Sequence, residues 1–390
     1  MRCWPAESSW MRIALVVHDY DKAGGHSRYV AELAERFAGR HEVHIFANTF
    51  GVGPPEGAVA HRVFAWRASA LTTIFTFLVP ATLATRRRFD IVHAQGLSAL
   101  GADVVTAHIC NRAWFNALKR DGGPHWKVRL FDALVVPLER RLFAAPDAHV
   151  IAVSDTVRRD LLEQYGRSQE TTVIHHGVDL ATFSPDQRAN YRASVRASLG
   201  LNEADVACLF VGDLRKGARH LIRALADLAP SSPSGPERVA ETLLLVSRTD
   251  PAPYRRLADT LGVSARLRFL DGTSTIERYY AAADLFVFPT PYDAFGMVVA
   301  EAMASGLPVI VSRTAGASEL VTPDVDGIIL DDPDDEGAIA RSVRRLAGDE
   351  GLRRRLGTAA AEKMRDHSWD RVAARTLDVY DHLLANGHVH

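Results

Sequence analysis

The feature that most constrains this chain is an alternation that runs from Met11 almost to its end: short β-rich runs separated by longer stretches of helical periodicity. Strands are expected at residues 13–17, 43–47, 91–93, 104–107, 149–152 and 173–174. A second series follows at 207–211, 243–246, 267–269, 285–288 and 309–311. Several are continuous apolar runs, as strands covered on both faces require. Between them, residues 218–228 place Leu221, Ile222, Leu225 and Leu228 on one helical face. Strands alternating with helices imply an α/β fold of parallel sheets with helices on both sides.

The chain has 390 residues, and at roughly 100–200 residues per domain that predicts two domains. We expect Rossmann-like domains at 11–190 and 191–367, with a helix from Ser368 (368–390) crossing back to the first. Residues 1–10 are expected as a disordered extension without a signal peptide's apolar run. The segment PSSPSGPER at 230–238 is expected to be a loop inside the second half. A formal net charge of −1 gives no global attraction to nucleic acid. Cys3, Cys110 and Cys208 form neither a disulfide framework nor a zinc pattern, which fits a reducing, cytoplasmic compartment.

The longest apolar stretch, 70–84, is too short to span a bilayer, is interrupted by Pro80, and precedes three arginines at 86–88. It reads as a packed helix, with a membrane-touching patch as the alternative. Between Arg112 and Arg141, seven Lys/Arg stand against three Asp/Glu, with aromatic residues interleaved. That segment suits either a solvated helix face or a phosphorylated, lipid-linked or membrane-bound acceptor. Peripheral membrane contact is therefore one expectation for this chain.

The richest motif is YDAFGMVVAEAMASGLPVI at 292–310. A strand should end at Pro289, and a helix should start near Gly296 and stop before Gly306. The loop then delivers a helix N-terminus to the C-terminal end of a parallel strand, where open α/β sheets bind ligands. The N–H groups of Gly296, Met297 and Val298 would favour anionic or hydroxyl oxygens. Glu301 lies five residues in, roughly 7.5 Å along the axis, so one element can reach two parts of a nucleotide sugar. A second motif, LFVGDLRKGARHLIRAL at 209–225, places Arg215 and Lys216 between Gly212 and Gly217. Cationic donors and close backbone approach are what a diphosphate needs. Gly24 and Gly25 follow the first strand, and His108 ends another.

These motifs resemble the donor-binding signature of the family 4 retaining glycosyltransferases, which have the GT-B fold: two Rossmann-like domains facing each other across a cleft. The resemblance covers the chain from Met11 to about Leu384. It implies that Glu301 binds the ribose hydroxyls and that Asp293, where the family pattern has Glu, contacts the donor hexose. The backbone of Phe295, Gly296, Met297 and Val298 would hold hexose hydroxyls. Arg215 and Lys216 would take the diphosphate, Gly24 and Gly25 would lie near the donor phosphate and acceptor, and His108 would support the sugar. The implied donor is a UDP-hexose first and GDP-mannose second. The acceptor is a glycan, a lipid-linked or a small molecule, and the first domain would hold it.

Transfer with retention by front-face attack needs neither an enzyme nucleophile nor a metal, so no cofactor is expected. Asp19-Tyr20-Asp21 and Asp324-Val325-Asp326 match the D-x-D pattern of metal-dependent transferases, but so short a pattern is common by chance. Two departures from the family stand out: Asp293 itself, and Ser247-Arg248-Thr249 where many members have a glycine-rich turn. The rival readings are a same-fold epimerase or phosphorylase, a non-catalytic nucleotide-sugar scaffold, and an NAD-dependent oxidoreductase. For the last, neither half has G-x-G-x-x-G, and Asn48-Thr49-Phe50 lacks the ribose-binding acid.

Overall fold

The computed structural model describes residues 10–86, 88–120, 126–145, 147–167, 169, 171–228 and 241–387. The expected N-terminal extension (residues 1–9) and the 230–238 loop lie outside the described residues. The chain divides into two compact units, Met1–Gly177 with Trp369–His390, and Val178–Ser368.

The first unit holds β1 (Arg12–Val16), β2 (Asp19–Tyr20), β3 (Glu42–Ala47), β4 (Thr49–Phe50), β5 (Ala58–Arg62), β6 (Ile91–Gln95), β7 (Val104–Ala107), β8 (His149–Ala152) and β9 (Thr171–Val173). Seven of them form one sheet in the order β5-β3-β1-β6-β7-β8-β9, and β2 pairs with β4 apart from it. Every pairing in the large sheet is parallel. The connecting helices are α1 (Gly25–Phe37), α2 (Ala70–Thr85), α3 (Asn111–Arg120), α4 (Trp126–Ala144) and α5 (Asp155–Tyr165). The chain steps outward from β1 to β5, then returns through α2 to β6 and steps outward the other way. Because such crossovers are right-handed, α1 covers one face of the sheet and α2 through α5 the other.

The second unit holds α6 (Gln187–Ser198), β10 (Val206–Val211), α7 (Ala218–Asp227), β11 (Glu241–Ser247), α8 (Ala252–Thr260), β12 (Leu267–Asp271), α9 (Glu277–Ala282), β13 (Leu285–Phe288), α10 (Met297–Ala304), β14 (Val309–Ser312), β15 (Gly327–Leu330), α11 (Glu336–Ala347) and α12 (Glu350–Met364). Its six strands are parallel in the order β12-β11-β10-β13-β14-β15. All four residues of β13 and of β14 are buried, as their unbroken apolar runs require. On α7 the buried residues include Leu221, Ile222 and Leu225, and Leu228 just beyond it is buried too.

The final helix, α13 (Trp369–Ala385), belongs to the first unit. It packs on α1: Trp369 meets Tyr29 with ring centroids 6.1 Å apart, and Tyr380 meets Phe37 at 5.9 Å.

Two sequence expectations need correction. The division falls at 177/178 instead of 190/191, because α6 packs within the second unit. Arg192 and Arg196 on α6 each bind the Asp284 carboxylate, at 2.9 and 3.0 Å, and also reach carbonyls at the end of α9. Pro80 does not interrupt the apolar stretch: α2 runs through it from a Ser69 N-cap whose hydroxyl accepts from Thr72 N. Pro80 sits on the exposed side, where water can take the carbonyl that loses its donor. No described helix is long and apolar enough to cross a membrane.

Candidate active site

In the second sheet the chain leaves β10 for β11 on one side and later places β13 on the other. The order therefore reverses between β10 and β13, the position at which open parallel sheets bind ligands. The two strongest motifs are the loops that follow these two strands. They touch: a Cβ built on Gly217 would lie 2.2 Å from the carbonyl oxygen of Pro289, and Gly217 has φ +110°. Only glycine fits there, on both steric and backbone grounds.

Within that contact Lys216 Nζ lies 2.6 Å from Asp293 Oδ2. The sequence reading gave these residues separate duties, phosphate and hexose, yet the fold makes them an ion pair. The Asp293 loop is strapped by the segment after β14. Asp293 N donates to Thr314 O (3.2 Å), Gly316 N to Asp293 O (2.9 Å) and Ala317 N to Phe295 O (2.5 Å). Asp293 Oδ1 also accepts from Phe295 N at 3.2 Å. Phe295 is buried in the core, so it offers a ligand only backbone. Gly296, at φ 91° and ψ 62°, turns the chain into α10. Among the described residues no hydrogen bond is made by the N–H groups of Gly296, Met297 or Val298, as the first turn of a helix leaves them.

Glu301 is buried on α10, and one of its oxygens accepts from the Tyr280 hydroxyl at 3.1 Å. Tyr280 also donates toward Val298 O at 3.2 Å, so it holds the carboxylate in place against the helix. Arg215 stands apart from Lys216: its guanidinium binds Asp213 at 2.5–3.0 Å and is largely exposed. Burial alone would raise the Asp213 carboxyl, but the Arg215 hydrogen bonds and charge outweigh it and hold it below the ordinary range.

The first sheet reverses order in the same way between β1 and β6. Gly24 and Gly25 sit in and after the loop from β1, with Gly24 the N-cap of α1. Neither takes a left-handed backbone, and a Cβ on Gly24 would meet nothing nearer than Ser27 Oγ at 3.4 Å. What Gly24 supplies is room over the loop. His108 directly follows β7 and is buried. Its Nε2 lies 2.8 Å from Gln95 Oε1, at the end of β6. An amide oxygen only accepts, so Nε2 carries the proton and Nδ1 is left as an acceptor. Nδ1 has no partner among the described residues. Rings crowd it: His26 at 4.3 Å, Tyr29 at 5.2 Å and His176 at 5.3 Å between centroids. Burial first, and then the charges of His26, His176 and His93, hold the His108 pKa well below that of a free imidazole. His108 is therefore neutral at pH 7.

The D-x-D carboxylates are engaged locally. Asp19 binds Thr49 and Arg67, and Asp21 accepts from the Ala23 and Gly24 N–H groups at 2.8 and 3.1 Å. Asp324 pairs with Arg345, and buried Asp326 with Lys363. Among the described residues no group of three or more His, Cys, Asp or Glu is disposed to hold a metal ion.

Comparison with known proteins gives the family and the fold. The family described as Glycosyl transferases group 1 matches residues 192–363, and Glycosyltransferase Family 4 matches residues 23–182. The chain is a family 4 glycosyltransferase. A D-inositol 3-phosphate glycosyltransferase of Streptomyces bingchenggensis is 31% identical over 397 residues, covering 92% of this chain and 84% of that one. Among solved structures, WaaG, a glycosyltransferase involved in lipopolysaccharide biosynthesis, superposes with TM-score 0.78 at 21% identity, covering 94% and 99% of the two chains. Anabaena HepE in complex with UDP-glucose gives 0.68 at 19% identity, covering 97% and 99%. These superpositions place the glycosyltransferase in the GT-B fold.

For this glycosyltransferase, sequence reasoning missed Tyr280, Gln95 and the Thr314–Ala317 strap. The strap carried a usable signal, a run of small residues (TAGAS) directly after a buried strand. Tyr280 and Gln95 carried none, since each matters through one atom that meets a residue distant in sequence.

Proposed function

We propose that this glycosyltransferase moves a hexose from a UDP-hexose, with GDP-mannose as the second candidate donor, to a hydroxyl-bearing acceptor with retention of configuration and without a metal ion. One observation carries the reading: the Lys216–Asp293 ion pair beside three N–H groups unpartnered among the described residues and the buried Glu301. In the free protein Lys216 is neutralised by Asp293. A donor diphosphate competes for that ammonium, and Asp293 is released toward the hexose hydroxyls, held in reach by its strap. The N–H groups of Gly296, Met297 and Val298 donate to the sugar's oxygens, and Glu301, steadied by Tyr280, takes the ribose. As the glycosidic bond breaks, charge grows on the departing diphosphate, where Lys216 stabilises it and exposed Arg215 can swing over from Asp213. The departing phosphate accepts the acceptor's proton, so no protein nucleophile is used. Neutral His108 presents Nδ1 as an acceptor for a sugar hydroxyl.

The HepE complex with UDP-glucose supports the choice of base, and the inositol-phosphate relatives support a small polyol among the acceptors. The test is a thermal-shift screen against UDP, GDP, TDP and ADP sugars, followed by NMR of the product's anomeric coupling. Stabilisation by a UDP-sugar and an unchanged anomeric configuration are expected. Inversion would sink the mechanism, and stabilisation by GDP-mannose alone would replace the donor.

A further inference from the structure

The outward side of α4 plays no part in the chemistry above, yet it is markedly one-sided. Trp126, Leu130 and Leu134 are 62%, 46% and 45% exposed, and Ala133 and Pro137 are exposed with them. At about 100° per residue these five share an arc of roughly 100°. Exposed Arg129 and Arg140 border that arc, and exposed Arg141 closes its end. The two carboxylates of α4 are turned the other way. Asp132 lies 3.2 Å from Arg112. Glu139 is buried, bonded to the N–H and side-chain amide of Asn111 and to the Tyr165 hydroxyl. The outward arc therefore carries apolar side chains and arginines and no acid.

A second helix repeats the pattern. On α2, Phe75, Val79 and Leu83 form an exposed stripe at four-residue spacing, and exposed Arg86 and Arg88 follow. The right-handed crossovers put α2 and α4 on the same face of the sheet.

We infer that this face of the first unit, with α4 at its centre, docks on an anionic lipid bilayer. Leucine and tryptophan enter the boundary between headgroups and acyl chains, while the arginines extend along the helix to lipid phosphates. The charge favours this occupant. In a chain of net charge −1, the outward arc of α4 gathers arginines and apolar side chains without a carboxylate, which a negatively charged bilayer complements and a second copy of the same arc does not. The inference concerns binding alone and does not depend on which donor or linkage the enzyme uses.

The experiment is flotation of the full chain with phosphatidylcholine vesicles, with and without phosphatidylglycerol. Flotation is expected with the anionic vesicles only, and should fall as salt rises. Leu130→Glu with Leu134→Glu should abolish it. Arg129→Gln with Arg140→Gln should weaken partitioning at least about tenfold, at roughly 1 kcal/mol per arginine. Far-UV circular dichroism and the affinity for free UDP serve as controls for folding. Should the leucine pair fail to fold, the exposed arginine pair still decides the matter. Absence of flotation with anionic vesicles, or variants that float like the wild type, would overturn the inference. So would a stable dimer by light scattering that Leu130→Glu dissociates.

Discussion

The two sheets reverse strand order in the same manner, yet the side-chain clusters of the two units are chemically opposite. In the second unit the cluster is ionic: Lys216 against Asp293, Arg215 against Asp213, and Glu301 held by Tyr280. In the first it is neutral and desolvated: His108, His176, Tyr29 and Trp369 pack ring against ring, and Gln95 fixes one tautomer. The contrast teaches that a shared topology does not set the chemistry, and that the side chains gathered in each unit decide what it suits. Paired charges can be exchanged for a diphosphate. A neutral imidazole with a spare lone pair, as at His108, suits hydroxyl groups and repels no anion.

The largest expected effect tests the ionic side. Lys216→Ala should lower kcat/KM by roughly 10²–10³, since one donor to a leaving group is worth about 2.7–4 kcal/mol. Asp293→Ala alone should cost at least about tenfold in turnover. Because the two side chains touch, at 2.6 Å, the double variant should lose less than the two singles combined. Strict additivity in steady-state kinetics would mean that the pair does not act as a unit.

Next comes the backbone contact that joins the two loops. Gly217→Ala places a Cβ 2.2 Å from Pro289 O at a left-handed φ. It should destabilise the second unit by roughly 1–3 kcal/mol and weaken UDP binding, as read by denaturant melts and calorimetry. A variant as stable as wild type would show that the loops can part freely.

The neutral side should respond to acid. Burial, the leading cause, lowers His93 and His176 to about 3, and the unfolded chain protonates them near 6.5. The unfolded state then binds more protons, so stability is full above about pH 6.5 and is lost as pH falls toward their folded values. The slope is about 1.4 kcal/mol per pH unit for each histidine. Hydrogen exchange at pH 7 and pH 5 should show the first unit opening more readily at pH 5 while the second changes little. Equal loosening of both units would remove the distinction.

A smaller effect is expected at Gln95. Gln95→Ala frees His108 Nε2, and turnover should fall several-fold with the affinity for UDP unchanged. Gln95→Glu should shift the acid limb of the pH–rate profile upward, because a carboxylate favours the protonated imidazole. A profile that does not move would confine Gln95 to packing. The smallest expected effect is none at all: turnover should survive EDTA, because lysine and arginine take the role a metal plays elsewhere. Activity lost to chelator and restored by Mn²⁺ would assign a D-x-D pair to the reaction.

Much of this was legible before any coordinates. The strands that were expected lie within a few residues of those observed, because buried parallel strands are written as unbroken apolar runs, whereas β2, β4, β5 and β15 were not expected. The 292–310 motif declared its own loop, helix start and stop through Pro289, Gly296 and Gly306. Pro80 misled, because a proline's cost depends on whether water reaches the orphaned carbonyl, and periodicity does not report exposure. The boundary at 190 misled because α6 reads as a linker helix until Asp284, 92 residues from Arg192, is brought beneath it.

The sequence by itself determined the class of fold and the family, and it named the loops proposed to carry the chemistry. Those follow from local patterns, periods of two and 3.6 and glycine at turns, that need no knowledge of distant neighbours. Tertiary structure alone decided that Lys216 meets Asp293 across 77 residues, that Tyr280 steadies Glu301, that Gln95 sets the tautomer of His108, and that the leucines of α4 face outward. Each of these depends on strand order and on which side of a helix is covered, and a hydrogen bond or an exposed face is fixed to a few tenths of an ångström only when the whole sheet has assembled.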